Sequence, residues 1–190
     1  MENQIIIGLV GQLATGKGTT AKYLKEKYNA SVYGFSRPLR DILNRLYLPI
    51  ERINLDDLST ILRQRFGQDI LSHAITEDIK QDNNLIIVLD GIRRWTDIAL
   101  ARELPGFKLV KIITDEKLRY ERLLKRGQNN DDVSKSFEKF QEDNISESNI
   151  QIPQVMEQAD IEINNNGSIE ELYKQIEKLY DRKIHCHRRH

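Results

Sequence analysis

The feature that most restricts this chain is a nine-residue turn, Gly11-Gln-Leu-Ala-Thr-Gly16-Lys17-Gly18-Thr19, set between an apolar run and a helical pattern. Upstream, Ile5–Val10 is almost uniformly apolar, as a strand covered on both faces must be. Downstream, Ala21, Leu24 and Tyr28 follow the period of a helix. Glycines at 11 and 16 let the backbone curl until successive N–H groups, including those of Ala14 and Thr15, converge in one concavity. The positive end of the following helix adds to that field, and Lys17 brings a mobile cation. A turn of this kind between strand and helix cradles the phosphates of a nucleotide, with the lysine on the β- and γ-phosphates. The strict pattern has Ser or Thr directly after the lysine. Gly18 stands there instead, and Thr19 one place later is the candidate hydroxyl for a metal ion. The bland account of the same residues is a glycine-rich βα turn with no ligand.

The rest of the chain reads as one α/β domain. Its 190 residues suffice for a buried sheet without disulfides. Further strand patterns lie at Ser31–Phe35, Leu85–Leu89, Leu109–Ile113 and Ile161–Ile163, alternating with amphipathic helices, which is the mark of a parallel sheet. Ser36 with Pro38 starts one helix, and Phe66 before Gly67 stops another. Ser168-Ile-Glu-Glu171 is a capping box opening a helix with Ile169, Leu172, Tyr173, Ile176, Leu179 and Tyr180 on one face. Two stretches exceed a minimal sheet-and-helix sandwich. Residues 36–82 hold several helices between the second and third strands, and the polar residues 127–153 separate the fourth from the fifth. Insertions at strand ends cover sites or carry specificity.

Charge and cysteine content exclude some functions. Twenty-nine basic residues balance twenty-nine acidic ones, which gives no chain-wide attraction to nucleic acid or to anionic lipid. No run approaches the ~18 apolar residues of a membrane span. The single cysteine, Cys186, suits a reducing compartment, and the expected location is the cytoplasm. His185, Cys186, His187 and His190 resemble a ligand set, but with Arg182, Lys183, Arg188 and Arg189 around them they are expected to form an irregular basic tail over 182–190. Nothing in the residues sets the oligomeric state.

A second constellation follows the third strand. Leu85-Ile-Ile-Val-Leu89-Asp90 ends in a carboxylate placed to hold Mg²⁺ directly or through water, the alternative being an aspartate that caps the next turn. Arg93 comes next, at the carboxyl edge where parallel sheets bind ligands, and is the candidate clamp for an acceptor phosphate. Arg94 is expected at the surface. Arg119, Arg122 and Arg126 share a helix face, either as a solvated stripe or gathered over a phosphoryl group. Ser36, Arg37, Arg40 and Arg63 are candidates for the acceptor. In the segment 160–167, which ends in amides, Asn166 is the candidate to read an adenine edge, although Asn-Gly is first a turn signal.

Taken together, GQLATGKGT, DGIR, RYERLLKRG and AD…NNNG resemble the archaeal adenylate-kinase-related and dephospho-CoA-kinase-like proteins of the nucleoside monophosphate kinase group. GFSRPLRD and LRQRFG are similar to phage-type deoxynucleoside monophosphate kinases. The resemblance runs to about Tyr180. It implies a three-layer P-loop kinase fold over residues 1–181, with a five-stranded parallel sheet in the order 2-3-1-4-5. It also implies an acceptor-binding region at about 36–82 and a small lid at about 127–150. By motif it assigns ATP phosphates to Gly16, Lys17, Gly18 and Thr19, the acceptor to Arg37 and Arg93, and lid contacts to Arg122 and Arg126, with Mg²⁺ accompanying ATP.

One chemical argument bears on the acceptor. A kinase for a sugar hydroxyl needs a carboxylate base beside it, and dephospho-CoA kinases are expected to carry that acid just after the second strand. Here Val32-Tyr33-Gly34-Phe35-Ser36 has none before Asp41. A monophosphate acceptor is already anionic and needs positioning and cations. The residues therefore favour a nucleoside or deoxynucleoside monophosphate, with a hydroxyl kinase or a non-catalytic nucleotide-binding module as the competing readings.

Overall fold

Ile5–Val10 forms strand β1, and all six of its residues are buried because layers of helices cover both of its faces. The computed structural model describes residues 4–126, 135–145 and 149–187, with the backbone alone of Arg52, Arg126 and 182–187. Helix α1 (Lys17–Tyr28) leads to β2 (Ser31–Gly34), and three helices follow, α2 (Arg37–Arg45), α3 (Arg52–Phe66) and α4 (Ile70–Lys80). Strand β3 (Ile86–Ile92) precedes the short α5 (Trp95–Ala99), a 3-10 turn and β4 (Phe107–Ile113). Helices α6 (Glu116–Arg126), α7 (Phe137–Asn144) and α8 (Ile152–Glu157), strand β5 (Ile161–Asn164) and α9 (Ile169–His187) complete the chain.

The five strands pair in parallel in the order β2-β3-β1-β4-β5, as the family resemblance implies. Side-chain alternation along β1 divides the core in two. Ile5, Ile7 and Leu9 pack with Leu24, Leu172 and Ile176 under α1 and α9. Ile6 and Val10 pack with Leu39, Leu71, Ile75 and Ile98 under the helices of the other face. Gly8 leaves room on that second face for Ile92 and Phe107, whose atoms would lie 2.7 and 2.8 Å from an added Cβ.

The pairing of β1 with β3 shifts register between Gly8 and Val10, which face Leu89 and Ile92. The extra residue in β3 falls at Asp90-Gly91, and Gly91 takes φ +87°, a conformation that a side chain would strain. This irregularity lies beside the end of β2, where Gly34 pairs with Asp90.

Several expected boundaries are observed. Proline sits in the first turn of α2, Gly67 ends α3 at φ +113°, and the reciprocal bonds of Ser168 and Glu171 (3.0 and 3.3 Å) open α9. Ile169 departs from its expected place on the packing face; it is 46% exposed. The irregular tail is also corrected. Helix α9 continues through His187, since no glycine or proline interrupts it after the capping box. Of the expected lid, 127–134 and 146–148 lie outside the described residues, as does 188–190 of the tail. Among the described residues, no helix is long and apolar enough to cross a membrane.

On the edge strand β2, Tyr33 donates its hydroxyl to Asp82 at 2.9 Å. Partial burial, and then this bond, push the phenol up to about 12. A phenol raised above its unfolded value favours the fold fully below about pH 10 and loses that contribution as pH climbs through the folded value. Ultraviolet titration of the native protein should show a phenol ionising near 12 that is missing in Tyr33→Phe. Ionisation of Tyr33 at an ordinary phenol value would mean that the bond to Asp82 is not made.

Candidate functional site

Between β1 and α1 the backbone of residues 11–16 wraps as expected, with Ala14 at φ +62° and Gly16 at φ +103°. No side chain caps α1, so the N–H groups of its first turn open toward solvent and any anion there. Turning amide hydrogens inward turns carbonyls outward, and each of those carbonyls needs a donor. The carbonyls of Gly11 and Gln12 accept from Lys17 Nζ (2.6 and 2.9 Å), and that of Gln12 also from Thr15 Oγ1. Leu13 accepts from Arg119 Nη1 at 3.3 Å. Thr15 accepts from Asn165 Nδ2 at 2.8 Å and from Thr114 Oγ1 at 3.2 Å. The loop is thus braced by the ends of β4 and β5 and by α6.

A cleft of about 1260 Å³ runs along this loop. Single-ligand pockets span roughly 300–1,000 Å³, so this space exceeds that of a single small ligand. The loop residues Gly11, Ala14, Thr15, Gly16, Lys17, Gly18 and Thr19 line the cleft at the end of β1. From the strands on one side of β1 and their following helices come Arg122 and Lys125 of α6 and Asn165, Ile169 and Tyr173, with Lys22 and Glu26 of α1. From the strands on the other side and their following segments come Ser36, Leu39 and Arg40, Leu55, Asp56, Ser59, Thr60 and Arg63 of α3, and Asp90, Gly91, Arg93 and Arg94.

Most candidates therefore share one cleft, and three depart from expectation. Arg37 lies in a separate shallow depression with Tyr33, Asp78 and Asp82 on the outer edge of the sheet. As the first residue of α2 it borders Tyr33 of β2 in that depression, whereas Arg40, three residues later, lines the cleft. Arg63 lines the cleft, but its guanidinium is engaged by protein: Nη2 with Asp97 Oδ1 at 3.0 Å, Nη1 with the Gln68 carbonyl, and Nε with Ser59 Oγ at 3.4 Å. Asn166 is exposed, and its side-chain oxygen accepts the Asp115 N–H at 2.7 Å. Its neighbour Asn165, 5% exposed, is the amide that faces the loop.

Other residues gain roles that sequence reading did not assign. Arg94, expected at the surface, lines the cleft beside Arg93. Asp97 accepts the N–H groups of Arg93 and Arg94 at 3.0 and 2.9 Å. A carboxylate four residues beyond Arg93, near the start of a helix, was the one signal for it. Arg119, 3% exposed, sits behind the loop rather than over the cleft, bonded also to Asn144 Oδ1 of α7 at 3.1 Å and lying over the Phe140 ring. Arg122 faces the cleft; burial depresses its pKa, and its Nη1 has no hydrogen-bond partner among the described residues. The side chain of Arg126 lies outside the described residues.

Comparison with known proteins identifies a family and a fold. Residues 7–149 match the AAA_18 family, an AAA domain. A UPF0200 protein of Sulfurisphaera tokodaii is 30% identical over 177 residues, 93% of this chain and 96% of that one. A UPF0200 protein of Methanoregula boonei is 30% identical over 175 residues, 92% and 94% of the two chains. Among solved structures, shikimate kinase from Bacteroides thetaiotaomicron superposes with a TM-score of 0.59 at 14% identity, covering 93% of this chain and 97% of that one. At that identity the likeness concerns the fold alone.

Asn165 and Asn166 provide a contrast that tests the bracing. Asn165→Ala should destabilise the protein by about 1–3 kcal/mol, the cost of stripping a buried carbonyl of its donor, and Asn166→Ala by less than about 1 kcal/mol. Thermal unfolding of the two variants measures this; equal shifts would show that Asn165 is not the brace.

Proposed function

The chain belongs to the AAA_18 family and has the P-loop kinase fold, and from that premise we propose that it transfers the γ-phosphate of ATP to a nucleoside or deoxynucleoside monophosphate. The observation that carries this reading is one cleft lined by the phosphate loop together with arginines that follow strands on both sides of β1. ATP lies with its triphosphate on residues 11–19 and its base toward Asn165, Ile169 and Tyr173. The acceptor occupies the other side, its phosphate held by Arg93, Arg94 and Arg40 beside Ser36.

In the transfer, an oxygen of the acceptor phosphate attacks Pγ, the bond from Pγ to the β,γ-bridging oxygen breaks, and ADP leaves. No proton must be removed from an anionic acceptor, so the protein's task is alignment and neutralisation of charge. Lys17 moves from the carbonyls of Gly11 and Gln12 onto the β- and γ-phosphates. Arg122, with its partly unsatisfied and desolvated guanidinium, meets the phosphoryl group from the lid side. Among the described residues no group of three His, Cys, Asp or Glu side chains could hold a metal alone. Thr19 and Asp90 in the same cleft fit Mg²⁺, which takes few protein ligands beside nucleotide phosphates and water. When bound it would neutralise the β- and γ-oxygens.

A hydroxyl acceptor is the second reading, because Asp56 and Asp90 put carboxylates in the cleft even though the end of β2 has none. Release of ADP from Mg²⁺·ATP, screened against all ribo- and deoxyribonucleoside monophosphates, dephospho-CoA and shikimate, separates the two. Turnover with monophosphates supports the proposal, and turnover with hydroxyl acceptors alone replaces it. Nucleotide binding with no turnover assigns a non-catalytic module. Lys17→Ala should lose on the order of 3 kcal/mol of transition-state stabilisation, about two decades in kcat/KM. Wild-type turnover in that variant would remove Lys17 from the mechanism.

A further inference from the structure

We infer that Arg63 and Asp97 form a positioning pair for the acceptor half of the cleft, holding the turn that carries Arg93 and Arg94 to helix α3. The inference rests on the proposed function for what that turn binds, but its geometry stands apart from it. Both side chains are buried, at 6% and 3% exposure, and both border the cleft. The two oxygens of Asp97 divide their work. Oδ1 receives Arg63 Nη2 at 3.0 Å, while Oδ2 receives the backbone N–H of Arg93 at 3.0 Å and of Arg94 at 2.9 Å.

Arg63 extends the connection. Its Nη1 donates to the Gln68 carbonyl after α3 and lies 3.5 Å from Thr96 Oγ1, and Ser72 of α4 donates to the Thr96 carbonyl at 2.8 Å. One buried carboxylate therefore joins the end of β3 to the helices that wall the acceptor site. A buried ion pair adds little stability relative to well-packed apolar side chains. Its chemical distinction here is direction: a carboxylate can accept from a guanidinium and two amides at once, and no apolar pair can orient a backbone turn that way. Neither residue needs to touch substrate. Each acts through the place that it gives to Arg93 and Arg94, and misplacing such groups by about 1 Å costs on the order of 10²-fold in rate.

The test uses Arg63→Lys, which keeps the charge and loses the planar fork, and Asp97→Asn, which keeps the shape. Thr96→Ala, which removes only an outer contact, serves where either of these fails to fold. Steady-state kinetics on the best monophosphate of the acceptor screen are combined with hydrogen exchange of peptides covering 11–20 and 90–97. The expected result for the first two variants is a loss on the order of 10²-fold in kcat/KM for the acceptor, with KM for ATP held within about twofold. Exchange should rise in 90–97 and not in 11–20; Thr96→Ala should show the same pattern more weakly. Equal losses toward both substrates, or unchanged exchange in 90–97, would overturn the pair's positioning role. Absence of any wild-type turnover would instead overturn the proposed function, and the exchange result would still decide whether the pair holds the turn.

Discussion

A backbone that aims several N–H groups at one point must send carbonyls the other way, and the arrangement of this protein follows from satisfying them. Gly11 and Gln12 are served from within the loop by Lys17, while Leu13 and Thr15 depend on Arg119, Thr114 and Asn165. Those three donors come from α6 and from the ends of β4 and β5, so the loop keeps its shape only when the sheet has assembled. The central, fully buried β1 gives the loop a rigid origin. Arg119 also bonds Asn144, so α7 is tied to the back of the phosphate loop.

The side of the cleft that holds Arg93 and Arg94 repeats the logic with a carboxylate as the hub. Gly91 takes a positive φ near the end of β3, and Asp97 collects the amides of Arg93 and Arg94 that follow it. The cations that result are local. Lys17, Arg40, Arg93, Arg94, Arg122 and Lys125 all line a cleft in which basic side chains outnumber the carboxylates of Glu26, Asp56, Asp90 and Asp97, within a chain whose charges cancel. A neutral protein can focus a strongly positive field where low-dielectric walls surround such a group.

Strands, some helix starts and the phosphate loop were legible because each is written in local pattern. Continuous apolar runs mark strands covered on both faces, and Pro38, Gly67 and the Ser168–Glu171 box mark helix ends. The errors fall where a side chain's direction decides its role. Asn165 and Asn166 are adjacent and chemically identical, yet the extended chain after β5 turns one inward and the other to solvent. Arg37 and Arg40 share a helix, but the first lines the depression at the sheet edge and the second lines the cleft. Arg63 reads as an anion ligand by charge, but Asp97, thirty-four residues away, and the Gln68 carbonyl engage its guanidinium.

The amino-acid order by itself determined the sheet's elements, the place of the phosphate loop and the presence of arginines near both of its sides, since periodicity and glycine chemistry act over a few residues. Tertiary structure decided which of those arginines face the cleft, which are engaged by protein, and which amide supports the loop. Those outcomes depend on contacts between segments far apart in the chain, where a rotation of one side chain exchanges a bond to protein for a bond to ligand.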